Sequence, residues 1–159
     1  MLIYKQGNIF ESGEKFLAHG CNCKKSMGAG IAKQVRERYP NAYKADQATI
    51  WGDKNKLGSF TFGIEEDGVM VFNAYTQFDY SRTHRCVDYG ALEKAINKIA
   101  QTVKIITVTE GAAALAMPKI GCGLGGGDWN IVSGILERIS NAQGIDFHIY
   151  EWNPSGRRQ

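Results

Sequence analysis

The sequence contains no run of about 18 apolar residues, so it predicts no membrane-spanning helix. Its first residues, Met1 to Lys5, lack the charged start and long apolar core of a signal peptide, which favours a cytoplasmic location. Cysteine is scarce, at four in 159 residues: Cys21, Cys23, Cys86 and Cys122. A chain of this length without an export signal needs no disulfide framework, so we expect free thiols.

The sequence also has only a small excess of charge of one sign. Nineteen Lys and Arg residues face sixteen Asp and Glu residues, which leaves a formal net charge of +3. That balance permits an anionic ligand, but it is not the concentrated basic face of a dedicated nucleic-acid binder. With 43% hydrophobic residues, and with no internal repeat or linker, the sequence predicts one globular domain.

Hydrophobic patterns predict strands that alternate with helices, and therefore a three-layer α/β domain. The predicted strands span 2–5, 16–21, 58–64, 69–75, 113–117 and 145–152. The predicted helices run from about 30 to 39, from 41 to 50 with Asn41 as the cap, from 88 to about 106, and from 128 to 140. In the third helix the apolar face is Leu92, Ile96, Ile99, Val103 and Ile106, although 103–108 also suits a strand. In the fourth, the apolar face is Ile131, Ile135 and Ile139.

Glycine is the residue in excess, at 19 or about 12% of the chain against a typical ~7%. Many of the glycines lie in two loops, 22–30 and 118–127, and each loop follows a buried strand and precedes a helix. Such loops gather free backbone N–H groups and the positive end of a helix, an arrangement that favours phosphate. Two loops predict two adjacent phosphates, or a phosphate and a sugar. The alternative is that the glycines only make tight turns.

Three stretches of the sequence are similar to a known family: Gly7 to Phe10, His19 to Ala32, and Met117 to Trp129. Together they resemble the macro domain, an α/β module that binds ADP-ribose. The resemblance implies a three-layer α/β/α fold with a mixed central sheet over residues 1–153, followed by a flexible tail over 154–159. The combination of His-x-Cys-Asn-Cys with Gly-x-Gly-Ile-Ala looks most like the ADP-ribose 1″-phosphate phosphatases, the Appr-1″-p processing type.

The resemblance also implies a layout for the ligand. Asn8 and Ile9 would meet the adenine, Trp152 would stack on it, and Asn22 would bond to the distal ribose. Many relatives have aspartate where Asn8 stands, and Trp152 could instead only cover the edge of the core. The first loop would wrap the distal ribose and the second phosphate with Met27, Gly28, Ala29, Gly30 and Ile31. The second would cradle the diphosphate with Ile120, Gly121, Cys122, Gly123, Leu124, Gly125 and Gly126.

Two side chains are candidates for the chemistry. His19 could protonate the leaving ribose oxygen or activate a water, and Asp128 could orient that water. The alternatives are a satisfied core histidine and a helix N-cap. The related ADP-ribosyl-glutamate hydrolases use a lysine and an aspartate. Here Gly125 stands at the aspartate position, and no lysine lies just after strand 69–75, where Tyr75, Thr76 and Gln77 stand.

These residues predict an enzyme that hydrolyses ADP-ribose 1″-phosphate to ADP-ribose and phosphate. An ADP-ribosyl or O-acetyl-ADP-ribose hydrolase and a non-catalytic ADP-ribose-binding module remain alternatives. No motif requires a metal or an organic cofactor, since His19, Cys21 and Cys23 lack the spacing of a structural zinc site.

The expected partner is ADP-ribose or a derivative, bound by a monomer with no membrane contact. Nucleic acid is expected only as part of an ADP-ribosylated substrate. The basic residues Arg82, His84 and Arg85, beside Phe78 and Tyr80, could form a solvated loop or contact a phosphate or RNA end.

Overall fold

A computed structural model describes residues 1–81, 83–110 and 113–151. Six strands form one sheet: β1 (Leu2–Gln6), β2 (Phe16–Cys21), β3 (Phe60–Ile64), β4 (Met70–Tyr75), β5 (Ala114–Met117) and β6 (Asp146–Glu151). Four helices cover it: α1 (Gly30–Arg38), α2 (Pro40–Gln47), α3 (Tyr89–Ile106) and α4 (Trp129–Gln143). Short 3-10 turns span Ile9–Glu11 and Lys54–Lys56. The tail expected over 154–159 lies outside the described residues.

The sheet has the order β1-β6-β5-β2-β4-β3 and is mixed, as the sequence predicts. Neighbouring strands are parallel except β3 and β4, which form an antiparallel hairpin. The hairpin turns where the N–H of Gly68 donates to the carbonyl of Glu65 at 2.9 Å. Five strands therefore end at the same edge of the sheet, the edge at which open α/β sheets bind their ligands.

The two faces of the sheet carry separate apolar clusters, which makes the fold a three-layer α/β/α domain. Helices α3 and α4 pack on one face, over Phe72, Leu115 and Phe147. Helices α1 and α2 pack on the other, over Leu17 and Val71. Every residue of β4 is buried, as expected for a strand covered on both faces. None of the helices in the described ranges is both long enough and apolar enough to cross a bilayer.

The start of α2 differs from the prediction. The helix begins at Pro40 with Tyr39 as its N-cap residue, so Asn41 lies inside the helix and is not its cap. Proline fits a first turn because the N–H that it lacks has no partner there. Asn41 instead joins α2 to the hairpin, since its side-chain amide donates to the carbonyl of Ile64 at 2.7 Å and its N–H to Glu65 Oε1 at 3.1 Å.

The two longer helices also differ in detail from the prediction. α3 continues to Ile106, so the strand considered over 103–108 is wrong, and Ile106 is exposed rather than part of the apolar face. In α4, Ile131 is exposed, and the buried face is Val132, Ile135, Leu136 and Ile139. The Asp128 side chain accepts a hydrogen bond from the N–H of Asn130 and caps α4, as predicted.

Candidate functional site

A groove of about 1240 Å³ opens at the edge of the sheet where the parallel strands end. Its wall is formed by the carboxyl ends of β1, β2, β4, β5 and β6 and by the two glycine loops. Ligand pockets for small molecules typically measure about 300–1,000 Å³, so this groove has room for an extended ligand.

The first glycine loop, residues 22–29, is organised by the buried side chain of Asn22. Its Oδ1 accepts hydrogen bonds from the amides of Lys24 (2.9 Å) and Ser26 (3.3 Å), and its Nδ2 donates to the carbonyl of Ser26 at 2.9 Å. Both ends of the amide group are therefore used within the loop. Asn22 lines the groove, but its geometry favours a loop-shaping role over the ribose contact expected from the sequence.

The start of α1 supplies free donors to the groove. Its N-cap residue, Ala29, has no side chain that can cap the helix. Within the described ranges, the amides of Gly30, Ile31 and Ala32 donate to no protein acceptor, and all three residues line the groove. The positive end of the helix dipole therefore faces the groove with its first-turn N–H groups unpaired.

The second glycine loop, residues 118–127, presents another row of donors. Over the described part of the chain, the amides of Gly123, Leu124 and Gly125 have no protein acceptor. The loop is anchored behind them, because the carbonyl of Gly125 accepts hydrogen bonds from the amides of Cys86 (2.9 Å) and Val87 (3.1 Å). Consecutive free amides of this kind form a concave site that favours an anion.

Only glycine fits the bend of this loop at residue 121. Gly121 has φ +75°, a conformation that L side chains rarely adopt. A Cβ at this position would also lie 2.8 Å from a methyl carbon of Val87. The turn at Gly121 lets the loop fold back on itself, and the N–H of Gly127 donates to the Gly121 carbonyl at 2.8 Å.

The two loops meet over the groove. The Leu124 side chain packs over Gly30, its Cδ1 lying 3.2 Å from the place where a Cβ on Gly30 would stand. The free amides of the second loop and the free amides of α1 therefore line one groove, joined by this contact. This arrangement can hold an anionic group of two phosphates without a basic side chain in contact with it.

His19 is buried on β2 next to Asn73, and it also lines the inner wall of the groove. Asn73 Nδ2 donates to the carbonyl of Ala42 at 2.9 Å and to Thr61 Oγ1 at 3.1 Å, which leaves Asn73 Oδ1 to accept from His19 Nε2 at 2.7 Å. Burial lowers the pKa of His19 to about 4, although the bond to Asn73 opposes that shift. The imidazole is therefore neutral at pH 7. A neutral imidazole has no proton to give as the predicted catalytic acid, and a pKa of about 4 makes it a weak proton acceptor for the predicted activation of water, so this environment favours a structural histidine over both roles.

Asp128 combines a cap with a place on the groove wall. Its Oδ1 accepts from the N–H of Asn130 at 2.9 Å, and its own N–H donates to the hydroxyl of Tyr89 at 3.0 Å. The residue lines the groove at the end of the second glycine loop. Capping uses one oxygen of the carboxylate and leaves the other for a ligand or a water.

The cysteines near the groove are poor nucleophiles. Burial, and then the charge of Asp128, raise the pKa of the Cys122 thiol to about 11. Burial also raises the pKa of Cys21 and of Cys23. All four cysteines are free, as the sequence predicts. No cluster of three or more His, Cys, Asp or Glu side chains within the described residues could hold a metal ion.

The structure does not bring every expected residue into the groove. Asn8 caps the 3-10 turn that follows it, and Ile9 is buried beside the groove rather than on its wall. Met27 packs into the apolar cluster under α1, because its side chain points inward from the loop. Gly126 turns the loop at φ +74° behind the groove wall, and Trp152 lies outside the described residues.

A second part of the wall is formed by Thr76, Gln77, Tyr80 and Ser81, which the sequence did not predict as ligand-binding residues. These residues follow β4, whose position along the chain the sequence predicts correctly. The position of these residues just after a predicted strand could have indicated the groove, since residues that follow a parallel strand lie at the ligand edge of a sheet. What the sequence did not show is that β4 lies beside β2 in the parallel part of the sheet.

Another part of the wall lies at the ends of β1 and β6, where Tyr150 is held by Glu14. Glu14 Oε2 accepts from the Tyr150 hydroxyl at 2.6 Å and bonds His148 Nδ1 at the same distance. Burial, and then the bond to Glu14, raise the pKa of Tyr150 to about 12, so this hydroxyl stays protonated at neutral pH. Lys119 pairs with Glu151 at 2.9 Å beside it.

The fold and the groove define a three-layer α/β domain with a ligand edge rich in free amides. No model of a known sequence family matches the chain. Individual proteins do match it. An uncharacterized 17.5 kDa protein in the tk-vs intergenic region of Enterobacteria phage T4 is 36% identical over 164 residues, which cover 95% of this chain and 96% of that protein.

Two further matches carry descriptions of the fold or the activity. The ADP-ribose 1″-phosphate phosphatase of Candida albicans is 27% identical over 159 residues, covering 94% of this chain and 99% of that protein. A macrodomain protein from Streptomyces coelicolor superposes with a TM-score of 0.69 at 25% identity, covering 95% of this chain and 99% of that one. The chain belongs to the macro domain family.

Proposed function

We propose that this protein binds ADP-ribose derivatives in the groove and hydrolyses ADP-ribose 1″-phosphate to ADP-ribose and phosphate. One observation carries the proposal: two sets of free amides, Gly123 to Gly125 and Gly30 to Ala32, line the same groove. A diphosphate needs several donors in a small volume, and this wall supplies six. The name of the Candida albicans relative supports the choice of substrate.

The chemistry needs few side chains. In the proposed step, a water oxygen attacks the phosphorus of the 1″-phosphate, and the bond between phosphorus and the ribose oxygen breaks. Asp128 takes a proton from the attacking water, and the departing ribose oxygen takes one from a second water of the open groove, so that the products are ADP-ribose and phosphate. Backbone N–H donors stabilise the charge that builds on the phosphoryl oxygens. Neutral His19 is assigned no proton transfer, and its hydrogen bond to Asn73 joins β2 to β4.

One alternative, the lysine-dependent hydrolysis of ADP-ribosyl groups, lacks its two residues at the positions where the resemblance places them, although Lys119 and Asp128 line the groove elsewhere. The resemblance places the lysine of such enzymes just after β4, where Tyr75, Thr76 and Gln77 stand, and the aspartate at Gly125. In the structure Gln77 and Gly125 lie together, with Gln77 Oε1 3.0 Å from the place where a Cβ on Gly125 would stand. Gln77 and Gly125 therefore occupy neighbouring positions, but they provide neither a nucleophile nor a carboxylate. This favours direct attack by water.

The binding half of the proposal is tested by removing one donor. Replacing Leu124 by proline deletes the amide at the centre of the row. We expect the Kd for ADP-ribose to rise about 10- to 30-fold, because a hydrogen bond to a charged group contributes about 1.5–2 kcal/mol. Isothermal titration calorimetry measures this change.

The matched control is Leu124→Ala, which keeps the amide and loses only the side chain that packs over Gly30. We expect this variant to stay within about threefold of the native affinity. Equal losses in the two variants would mean that the side chain, rather than the amide, holds the ligand. Native affinity in Leu124→Pro would contradict the placing of the diphosphate on this loop.

A further inference from the structure

The strand β3 forms one edge of the sheet, and β1 forms the other. An edge strand presents unpaired N–H and C=O groups, and proteins usually protect it with a charged residue, a proline or a bulge. β1 follows this rule with Lys5. β3 has the sequence Phe-Thr-Phe-Gly-Ile, without charge or proline, and its register with β4 is unbroken from Phe60 to Ile64. β3 is therefore the less protected of the two edges.

Every second residue of β3 directs its backbone groups away from the sheet. The amide of Glu65 donates to the carbonyl of Val69 at 2.8 Å, so the odd-numbered residues along this antiparallel ladder face β4. The even-numbered residues point their N–H and C=O groups outward: Phe60, Phe62 and Ile64. Within the described ranges, none of these three amides donates to an acceptor outside the ladder. The edge is therefore ready to pair with another strand.

The side chains of the same three residues add an apolar row beside the free edge. They share the face of the sheet on which α3 packs, because alternate side chains of a strand point to one face. Phe62 is 45% exposed and Ile64 is 58% exposed. The Phe62 ring is held between Phe60 and Phe72, at centroid distances of 6.4 and 6.1 Å. The edge therefore combines free backbone groups with a partly exposed and well-positioned aromatic ring.

The two ends of β3 carry opposite charge. Glu66 and Asp67 are exposed just after the strand. Lys54 precedes it, and the stem of Lys94 lies over Gly58, with its Cβ 3.2 Å from the place where a Cβ on Gly58 would stand. In the part of the chain that the structure describes, none of these four charged side chains forms an ion pair within 4.0 Å. A strand with this charge distribution is complementary to its own copy only in the antiparallel direction.

We propose that two copies of this chain form a dimer by antiparallel pairing of their β3 strands, which joins the two sheets into one. The pairing is two-fold symmetric, because the same strand serves on both sides. In full overlap, Phe62 lies opposite Phe62 of the second copy, and the two residues exchange both hydrogen bonds. Phe60 lies opposite Ile64, whose carbonyl keeps a lone pair beside its bond to Asn41.

The same register brings unlike charges together twice. Glu66 lies opposite Gly58 of the second copy, over which the stem of Lys94 lies. A parallel pair would instead place like charges side by side, which is unfavourable. No residue of β3 lines the groove, so the dimer is independent of the proposed function and leaves the groove open. It would replace the monomer expected from the sequence.

The oligomeric state of the native protein and of two lysine variants tests the pairing. Sedimentation velocity between micromolar and millimolar concentration should show a dimer that forms as the concentration rises. Phe62→Lys should raise the Kd of the dimer at least about 100-fold, because the two-fold axis places two lysines opposite each other. The matched control is Ile131→Lys on α4, where the side chain is 46% exposed, and its Kd should stay near the native value. Thermal unfolding checks that both variants are folded.

A charge exchange tests the antiparallel direction and keeps the core intact. Glu66→Lys and Lys94→Glu should each weaken the dimer about tenfold at low salt, because each change turns two attractions into two repulsions. The double variant should return to within about threefold of native, since the exchanged charges attract again. The control is Glu137→Lys on α4, which changes the net charge equally and should leave the Kd unchanged.

Three results would overturn the proposed dimer. The first is a native protein that stays monomeric at millimolar concentration. The second is equal dimerisation by Phe62→Lys and Ile131→Lys, which would place the interface away from β3. The third is a double charge variant that remains as weak as its parents, which would contradict the antiparallel pairing. The charge variants decide the question even if Phe62→Lys does not fold.

Discussion

Replacing Asp128 by asparagine is expected to lower kcat for phosphate release at least about 100-fold, the usual contribution of a positioned proton acceptor. The amide has the shape of the carboxylate and cannot take the proton from water. Asparagine is as good an N-cap as aspartate, so α4 should keep its first turn and its stability. Steady-state phosphate release and thermal unfolding of the same preparation measure both effects.

The alanine variant at the same position separates the cap from the chemistry. Asp128→Ala loses the bond to the Asn130 amide as well as the carboxylate, so it should lose about 1 kcal/mol of stability in addition to activity. If Asp128→Asn keeps native turnover while Asp128→Ala unfolds more readily, the residue is only a helix cap. The proton acceptor would then have to be found elsewhere on the wall.

The second large effect concerns His19 and the pH dependence of stability. The pKa of His19 is about 4 in the folded protein against 6.5 in the unfolded chain, because burial disfavours the imidazolium. Between these values the unfolded chain binds the extra proton, so the free energy of unfolding falls as the pH falls through this window. The native protein should lose about 3 kcal/mol between pH 7 and pH 4 from this group alone.

His19→Gln tests this assignment, because its amide can donate to Asn73 Oδ1 from about the position of Nε2 and does not titrate. Urea unfolding between pH 4 and pH 7 should show a shallower loss of stability in the variant, by about 3 kcal/mol. Burial raises the pKa of Asp46, so this carboxyl makes the folded protein more stable as the pH falls, which is opposite to the effect of His19. Because Asp46 is present in both proteins, its contribution cancels when their stabilities are compared.

The rate of phosphate release by His19→Gln tests separately whether His19 takes part in catalysis. A structural histidine predicts phosphate release within about threefold of native at pH 7, since the catalytic groups are unchanged. A variant with a native pH profile of stability and a large loss of kcat would return His19 to the catalytic role that the sequence suggested.

Local patterns made the fold largely predictable from the sequence. β2 follows its prediction over Phe16–Cys21 because a buried strand flanked by a polar turn and a glycine loop has few alternatives. The hairpin of β3 and β4 follows from its turn residues. The helix ends were less predictable, because the exposed Ile106 and Ile131 fit the apolar spacing and only packing decides which positions are covered.

The side chains of the site were harder to predict than the loops that carry them. The sequence placed the free amides correctly because any strand–glycine loop–helix unit presents them. It could not show that Asn22 bonds its own loop or that Met27 points inward, since both depend on how the loop folds back. Asn73, 54 residues away in the chain, gives His19 its environment, and Gln77 reaches the wall only because β4 lies beside β2.

The most direct test of the proposed hydrolysis is to incubate the purified protein with ADP-ribose 1″-phosphate, without added metal, and to measure inorganic phosphate over time. A phosphatase with Asp128 as proton acceptor should release phosphate continuously, at least about 100-fold faster than Asp128→Asn, with ADP-ribose as the other product. No release from a protein that still binds ADP-ribose in calorimetry would contradict it. The groove would then belong to a binding module or to a hydrolase that acts on another bond.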